Sequence, residues 1–262
     1  MNKRALAFVI AFLIVIAAAA VLFYRLLPFR GSTDIAAAIA TAQARSTSNL
    51  APIRVPTATP NAEGVQYLLR HETYAIRISA ARTLSHRDDI PVARRVELLI
   101  GALEAELANP STDAPRVADS YLTPDGMARL LIIRTLGELG PEAISPLQDA
   151  RASAEGLAHD CVLVALAYLG EPTVFTKVRD LVVGSDDIVI RMSAARALGV
   201  AGDHEAIPVL TVALADAERV EARDSLGEYS IYPVREQVVN ALGMLGIRVV
   251  RQEDDTLTVE GE

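Results

Sequence analysis

The sequence lacks several features that would favour other classes of protein. It has no tryptophan, aromatic residues make up only 5% of it, and alanine and leucine supply most of its apolar content. This composition suits closely packed helices better than a β-sandwich. The single cysteine, Cys161, excludes an intrachain disulfide. Because Cys161 lies inside the apolar run CVLVALAYL, we expect a small buried core residue rather than a reactive thiol.

Basic residues are scarce in the larger part of the chain. Residues 1–62 carry six basic residues and one acid, a net charge of +5, whereas residues 63–262 carry 19 basic and 32 acidic residues, a net charge of −13. A region this acidic repels nucleic-acid phosphates and anionic lipid surfaces. We therefore expect no nucleic-acid partner.

A long uncharged apolar run lies close to the start of the chain. Residues 5–24 contain no charge, and as a helix they span about 30 Å, the thickness of the hydrocarbon core of a bilayer. Basic residues flank both ends, as expected of interfacial anchors. The alternative is a signal peptide cleaved at the alanines of residues 18–20. Because the apolar run continues past these alanines, it favours an uncleaved transmembrane helix behind a basic head, residues 1–4.

The region after this run is predicted to be a spacer. Residues 25–62 include Pro52, Pro56 and Pro60 among serine, threonine and alanine, a composition typical of an extended, flexible stalk. The charges on the two sides of residues 5–24 nearly balance, but the short head and its free amine favour a head in the cytoplasm. We expect a single-pass protein of a bacterial cell membrane with its folded domain outside the cytoplasm.

Residues 63–246 contain an internal repeat. Five segments align on one leucine, with apolar residues or alanine three and four positions before it, a basic residue seven positions before it, and a small residue directly after it. These offsets place the side chains on one face of a helix, and the small residues are expected to let a neighbouring helix approach closely. The aligned leucines are Leu84, Leu136, Leu166, Leu198 and Leu242, and the basic column is Arg77, Arg129, His159, Arg191 and Arg235.

Four of the five first helices are predicted to end at a glycine, and in four units a second helix is predicted to follow. Glycine accepts the left-handed conformation that ends helices, and acidic residues before the basic column are expected to cap or charge-complement the helix starts. The tail, residues 247–262, alternates like two short strands around an acidic turn, which predicts a hairpin that covers the open end of the stack. The glycines are Gly140, Gly170, Gly202 and Gly246, the acids are Asp125, Glu155 and Asp187, and the second helices are predicted at 91–107, 141–154, 172–183 and 205–215.

The repeat resembles a known family. The segment RMSAARALGVAGDHEAIPVL, residues 191–210, is similar to the HEAT-like repeats first described in phycobilisome lyases. The resemblance covers roughly residues 65–250 and implies an all-α fold, a HEAT-type α-solenoid of about five helical hairpins with a short C-terminal β-hairpin, preceded here by the transmembrane helix. Because the family includes bilin lyase subunits, an iron-dependent deoxyhypusine hydroxylase and many scaffolds, the resemblance leaves the function open.

The sequence offers little support for catalysis. The hydroxylase relatives carry repeated His-Glu pairs, but His71-Glu72 and His204-Glu205 occupy different repeat positions two or three units apart, so we expect surface histidines and no metal site. No nucleophile–histidine–acid set, glycine-rich phosphate loop or zinc-spaced cysteine pair is present. We expect no catalytic residue and no cofactor. The alternative, an enzyme or enzyme subunit similar to the bilin lyases or the hydroxylase, stays open.

Two insertions are the best functional candidates. The leucines are 30 and 32 residues apart in the middle of the repeat but 52 and 44 apart at its flanks, and the extra length falls at 109–124 and 217–232, at the same edge of the predicted solenoid. Loops carry function more often than packed helices, and tyrosines often anchor interfaces. We predict a membrane-tethered, non-catalytic scaffold that binds an unknown protein partner. The candidate contact residues are Tyr121, Tyr229, Tyr232, Arg116 and Arg223.

Two structural interpretations accompany this prediction. The tyrosines of the insertions could instead pin the loops onto the helices. The arginines of the basic column are expected to bridge helix starts of neighbouring repeats to carboxylates such as Asp187.

Overall fold

The computed structural model describes residues 61–71, 73–108, 122–224, 227–252 and 256–260. All of them lie in one compact unit, Pro60–Glu262. The predicted head, transmembrane helix and nearly all of the predicted stalk lie outside the described residues. Within the described ranges, no helix combines the length and the apolar character needed to cross a bilayer.

The described residues are mostly helical. Helices α5, α7 and α9 each follow a short 3-10 turn, and those turns are Pro141–Ala143, Pro172–Val174 and His204–Ala206. The ten helices are α1 (Ala62–Leu69), α2 (Tyr74–Leu84), α3 (Val92–Ala108), α4 (Pro124–Gly137), α5 (Ile144–Ser153), α6 (Gly156–Tyr168), α7 (Phe175–Gly184), α8 (Ile188–Ala201), α9 (Ile207–Ala213) and α10 (Pro233–Met244).

The helices form two layers, as the repeat predicts. The first helices of the five units, α2, α4, α6, α8 and α10, stack in chain order, each against the next. The second helices lie beside them, with α3 packed against α5 and α7 against α9. All five aligned leucines are fully buried between the layers. The shared leucine register and the HEAT-type arrangement of the helices are thereby confirmed.

The small residue after each leucine allows close helix packing where another unit follows. A Cβ atom on Gly199 would lie 2.7 Å from the Cα of Ala241 in α10, closer than real atoms approach. A Cβ on Gly137 would collide with the Cβ of Tyr168 in α6. The equivalent Gly243 meets no atom within 4 Å, and in the described residues α10 is followed by two short strands rather than by another first helix. The predicted role of these residues is confirmed for Gly137 and Gly199.

Three first helices end in the same hydrogen-bonded motif. Gly170, Gly202 and Gly246 have φ between 72° and 79°, and in each unit the amide after the glycine donates to the carbonyl of the aligned leucine at 2.9–3.1 Å. This arrangement satisfies carbonyl groups that the end of a helix leaves without partners. Gly140 also has a positive φ, 89°. The predicted helix-ending glycines are confirmed.

Both ends of the stack are covered. At the C-terminal end, β3 (Val249–Arg251) and β4 (Leu257–Val259) form an antiparallel hairpin whose residues Val249, Leu257 and Val259 pack partly buried against the core. The predicted C-terminal hairpin is confirmed. At the other end lies α1, which the sequence did not predict. Its buried residues Val65 and Leu69 cover the first unit, so the helical region begins at Ala62, inside the predicted stalk.

The second insertion is a hairpin, which corrects the sequence-based interpretation of 217–232 as a loop. Strand β1 (Val220–Asp224) pairs antiparallel with β2 (Gly227–Ile231). The strands were missed because VEARD and GEYSI contain few β-branched residues and no Asn-Gly or Asp-Gly pair marks the turn. Of the first insertion, the structure describes only Leu122, Thr123 and Pro124.

Candidate partner-binding edge

The two insertions leave the helices at equivalent places. The first lies between α3 and α4 and the second between α9 and α10, in both cases after a second helix and before the next first helix. We call this surface the insertion edge: the N-terminal ends of α4 and α10 with the described residues of the insertions, which are 122–123, 214–224 and 227–232. Of the predicted contact residues, Arg116 and Tyr121 lie outside the described residues.

Two of the predicted tyrosines lie in strand β2 or directly after it. Tyr229, in β2, is 47% exposed. Tyr232 follows β2 directly and is partly buried, with the guanidinium carbon of Arg235 4.2 Å from its ring centre. The backbone of Arg223 pairs with Glu228 across the hairpin. Tyr232 therefore contacts its own repeat, as the pinning interpretation expects, whereas Tyr229 leaves about half of its surface free.

The hairpin β1–β2 makes no extended contact with the described helices. Neither of its strands packs along a described helix, and within the described residues each strand pairs only with the other. Val220, at the base of β1, is buried, whereas Glu221, Tyr229 and Ser230 are exposed. The hairpin is therefore buried at its base and exposed at these three residues.

Two arginines of the basic column hold that base. Arg191 in α8 donates to Asp216 at 3.0 Å and to the carbonyl of Ser185 at 2.9 Å, and it lies 3.5 Å from Glu218. Arg235 in α10 donates to the carbonyl of Asp216 at 2.6 Å. Since α8 and α10 belong to neighbouring units, both helices fix the residue from which the insertion departs.

The first insertion has a comparable clamp. Arg77 in α2 forms an ion pair with Glu106, two residues before the end of α3, and lies 3.5 Å from Asp125 in the first turn of α4. Both carboxylates are buried. Burial raises the pKa of Glu106, although the hydrogen bond from Arg77 opposes the shift. Arg77 thus joins the helices that precede and follow the first insertion.

Arg129, the remaining arginine of the basic column, contacts a residue of the unit after the next. Arg129 in α4 donates to Asp187 at 2.8 Å, and Asp187 accepts from the amides of Val189 and Ile190 at the start of α8. The ion pair therefore crosses α6, whose column residue is His159. The predicted bridging to carboxylates is confirmed for Arg77, Arg129 and Arg191, and the bridge from Arg129 passes over one unit. Arg235 donates to a backbone carbonyl instead.

The predicted acidic caps have different outcomes. Asp187 caps α8 as predicted. Thr123, rather than Asp125, caps α4 by accepting from the amide of Gly126 at 3.2 Å, because a threonine precedes the helix at the position where a side chain reaches that amide. Glu155 precedes α6 but makes no side-chain cap bond.

The contact between α4 and α8 limits the surface that the first helices expose. Ten of the fourteen residues of α8 are buried, and Gly126 of α4 lies against Val189 of α8, whose Cγ2 would be 3.6 Å from a Cβ at that glycine. The N-terminal ends of α4 and α8 are therefore in contact, and this part of the first-helix layer offers no open surface. The insertion edge, rather than this layer, is the exposed candidate surface.

A shallow groove of about 500 Å³ lies on the opposite layer, between α1, α3 and α5. Gly101, in the middle of α3, lines it and has no neighbouring atom within 4 Å of a Cβ position. Its rim carries both signs of charge, with Arg70 and Arg94 near α1 and Glu104 and Asp149 on the other side. Mixed charges and an open shape give this groove no evident ligand.

The candidate reactive groups have ordinary surroundings. Cys161 is fully buried, and burial raises the pKa of its thiol to about 12, so the thiol stays protonated, as expected of a core residue. The ring of His71 accepts from the amide of Thr73 at 3.0 Å, and His204 is exposed in its turn. In the described ranges, no three histidine, cysteine or acidic residues lie close enough together to hold a metal ion.

One buried ion pair was not predicted. Arg179 in α7 makes two hydrogen bonds of 2.7 Å to Asp203, and it also pairs with Glu205 at 2.8 Å. It fixes the turn after α8 to the second helix of the preceding unit. The sequence signal is Asp203, which directly follows the helix-ending Gly202.

Comparison with known proteins agrees with this architecture. A profile of the family described as HEAT repeats matches residues 161–228, from the first turns of α6 into β2. No curated protein matches the chain. HEAT repeats generally serve as scaffolds for protein–protein interaction. The match supports assignment of the chain to a HEAT-like repeat family.

Proposed function

We propose that the chain is a membrane-tethered, non-catalytic scaffold that binds a protein partner through the insertion edge. The observation that carries the proposal is the hairpin β1–β2, whose residues Glu221, Tyr229 and Ser230 are exposed and whose base is held to the helical stack by Arg191 and Arg235. Because a rigid stack holds the base of the hairpin in place, less conformational entropy is lost when a partner binds. The proposed contact residues remain Tyr229, Tyr232 and Arg223, together with Tyr121 and Arg116 of the first insertion.

Photocrosslinking in cells tests this proposal. A photoreactive amino acid at Tyr229 is expected to capture one protein, whereas the same amino acid at Lys177, exposed on α7, captures none. Tyr229→Ala is expected to weaken capture from a neighbouring position, Ser230, without lowering the melting temperature. Loss of thermal stability with unchanged capture would show instead that Tyr229 only pins its loop.

The proposed membrane tether and its orientation are supported by the sequence alone. Residues 5–24 would span the membrane and residues 25–62 would keep the repeat domain clear of the headgroups, outside the cytoplasm of a bacterial cell. Protease added to spheroplasts is expected to digest the repeat domain. Resistance before lysis, with digestion afterwards, would reverse the orientation, and recovery of the protein in the soluble fraction would exclude the tether.

The absence of catalysis is part of the proposal and has its own test. The purified full-length chain is expected to show no visible absorbance band and no stoichiometric metal. A bound pigment would favour a relationship to the bilin lyases, and stoichiometric iron would favour one to the hydroxylase.

A further inference from the structure

The hairpin β1–β2 has two unpaired edges. Within the described residues, no third strand pairs with β1 or β2. In an antiparallel pair, alternate residues point their backbone N–H and C=O groups away from the partner strand. Each five-residue strand therefore presents a short row of unpaired donors and acceptors, which is the surface to which an extended peptide adds as a further strand.

The surroundings leave these edges accessible. Neither strand packs along a described helix, and Glu221 and Ser230, which lie opposite each other, are both exposed. The base of the hairpin is fixed through Asp216, which Arg191 and Arg235 both contact. A hairpin that is held at its base and packs along no described helix can pair with a further strand without unfolding of the helical stack.

The charge of the hairpin decides what can pair with it. Residues 220–231 contain three acids and one arginine, a net charge of −2. A second copy of the chain would bring the same negative charge to the edge, so pairing between two copies is disfavoured. A basic segment is attracted, and the half-exposed ring of Tyr229 can receive a lysine or arginine over its face.

We propose that an extended, basic segment of the protein partner adds to the hairpin β1–β2 as a third antiparallel or parallel strand. This inference rests on the proposed scaffold function and specifies how its partner is recognised. Backbone hydrogen bonds supply the docking geometry, and the acidic side chains with Tyr229 supply the preference for basic residues.

The test uses the full-length chain in detergent and a fluorescent peptide of about ten residues that alternates lysine and threonine, a length that covers a typical strand. A matched peptide carries N-methyl groups at alternate residues, which removes backbone donors and keeps the charge. We expect the first peptide to bind and to shift the amide resonances of residues 220–231. The methylated peptide is expected to bind about tenfold more weakly, because it loses several backbone hydrogen bonds.

Three outcomes would overturn the inference. These are no binding of the first peptide, equal binding of the two peptides, and a dimer that forms through the hairpin in the absence of peptide. A protein variant gives an independent measure: Ser230→Pro is expected to weaken binding, whereas Ser230→Thr, which keeps the amide, is expected to preserve it. If proline distorted the hairpin itself, the pair of peptides would still decide.

The crosslinking experiment separates this inference from the scaffold function. If Tyr229 captures a partner equally well in the Ser230→Pro and Ser230→Thr backgrounds, strand addition is wrong and the scaffold function stands. If the peptide binds as expected and no protein is captured in cells, the hairpin can pair with strands but the proposed scaffold function fails.

Discussion

The two described hairpins are both antiparallel and have different surroundings. The C-terminal hairpin β3–β4 places Val249, Leu257 and Val259 against the core, whereas β1–β2 packs along no described helix and has Val220 buried at its base. The first contributes apolar area that covers the last repeat. The base of the second is also fixed by the ion pair between Arg191 and Asp216. This contrast is the one expected if β3–β4 stabilises the stack and β1–β2 carries the proposed binding.

Removing each hairpin in turn should give the largest difference in the free energy of unfolding. Deletion of residues 247–262 takes away four partly buried apolar side chains that pack on the core, and we expect a loss of about 3 kcal/mol in the free energy of unfolding. Replacement of residues 219–231 by a glycine-serine linker removes one buried valine and is expected to cost about 1 kcal/mol. Urea unfolding of both variants measures the difference. Equal losses would mean that both hairpins are structural.

The arginine clamp gives the next largest effect. Arg191→Met leaves the carboxylate of Asp216, whose side chain is only 13% exposed, without its partner, and we expect a loss of about 3 kcal/mol. Arg219→Met is the matched control, because the pair between Arg219 and Glu221 is 61% exposed on both sides and should change stability by less than about 0.5 kcal/mol. Chemical unfolding compares the two. A mild effect of Arg191→Met would show that the base of β1–β2 is held by packing instead.

A pair of glycine variants tests whether the stack ends at α10. Gly199→Ala forces a methyl group into the backbone of α10 at Ala241, and we expect a loss of about 2 kcal/mol. Gly243→Ala occupies the same repeat position with open space around it, and it should be neutral or stabilise by up to about 1 kcal/mol. Thermal unfolding measures both. A destabilising Gly243→Ala would place an additional packing element over the last helix.

The smallest predicted effect concerns pH at the first insertion. Burial raises the pKa of Glu106, so the folded state binds a proton at this carboxyl more readily than the unfolded state does. Stability from this group therefore increases as pH falls through its folded pKa and decreases as pH rises above it. The wild type should gain stability relative to Glu106→Gln between pH 7 and pH 4, by about 1 kcal/mol or less. An unchanged difference would mean that Arg77 fully offsets the burial.

The sequence predicts the elements that depend on local periodicity and misses those that depend on tertiary context. The second helix predicted at 91–107 lies at Val92–Ala108, because its apolar residues recur at helical spacing. Helix α1 was missed because eight residues carry little periodic signal and no aligned leucine. Strands β1 and β2 were missed because they pack along no described helix, so their sequence needs no regular alternation of apolar and polar residues.

The candidate site was predictable in position but not in structure. Insertion lengths locate the edge, since extra residues must leave the stack where they are inserted. The sequence predicts that the arginines bridge to carboxylates, but it does not predict Glu106 and Asp216 as their partners. Ion pairs between repeats depend on how closely the neighbouring helices approach each other. The contact from Arg129 to Asp187, which passes over α6, is the clearest example.

Amide hydrogen exchange, measured residue by residue, tests the division between the two hairpins most directly. We expect the amides of β3–β4 to exchange slowly, at rates close to those of α10, because that hairpin opens only when the end of the stack opens. Those of β1–β2 should exchange much faster and become protected when the basic peptide is added. Slow exchange in β1–β2 alone, or equal protection of both hairpins without peptide, would contradict the assignment of binding to one hairpin and capping to the other.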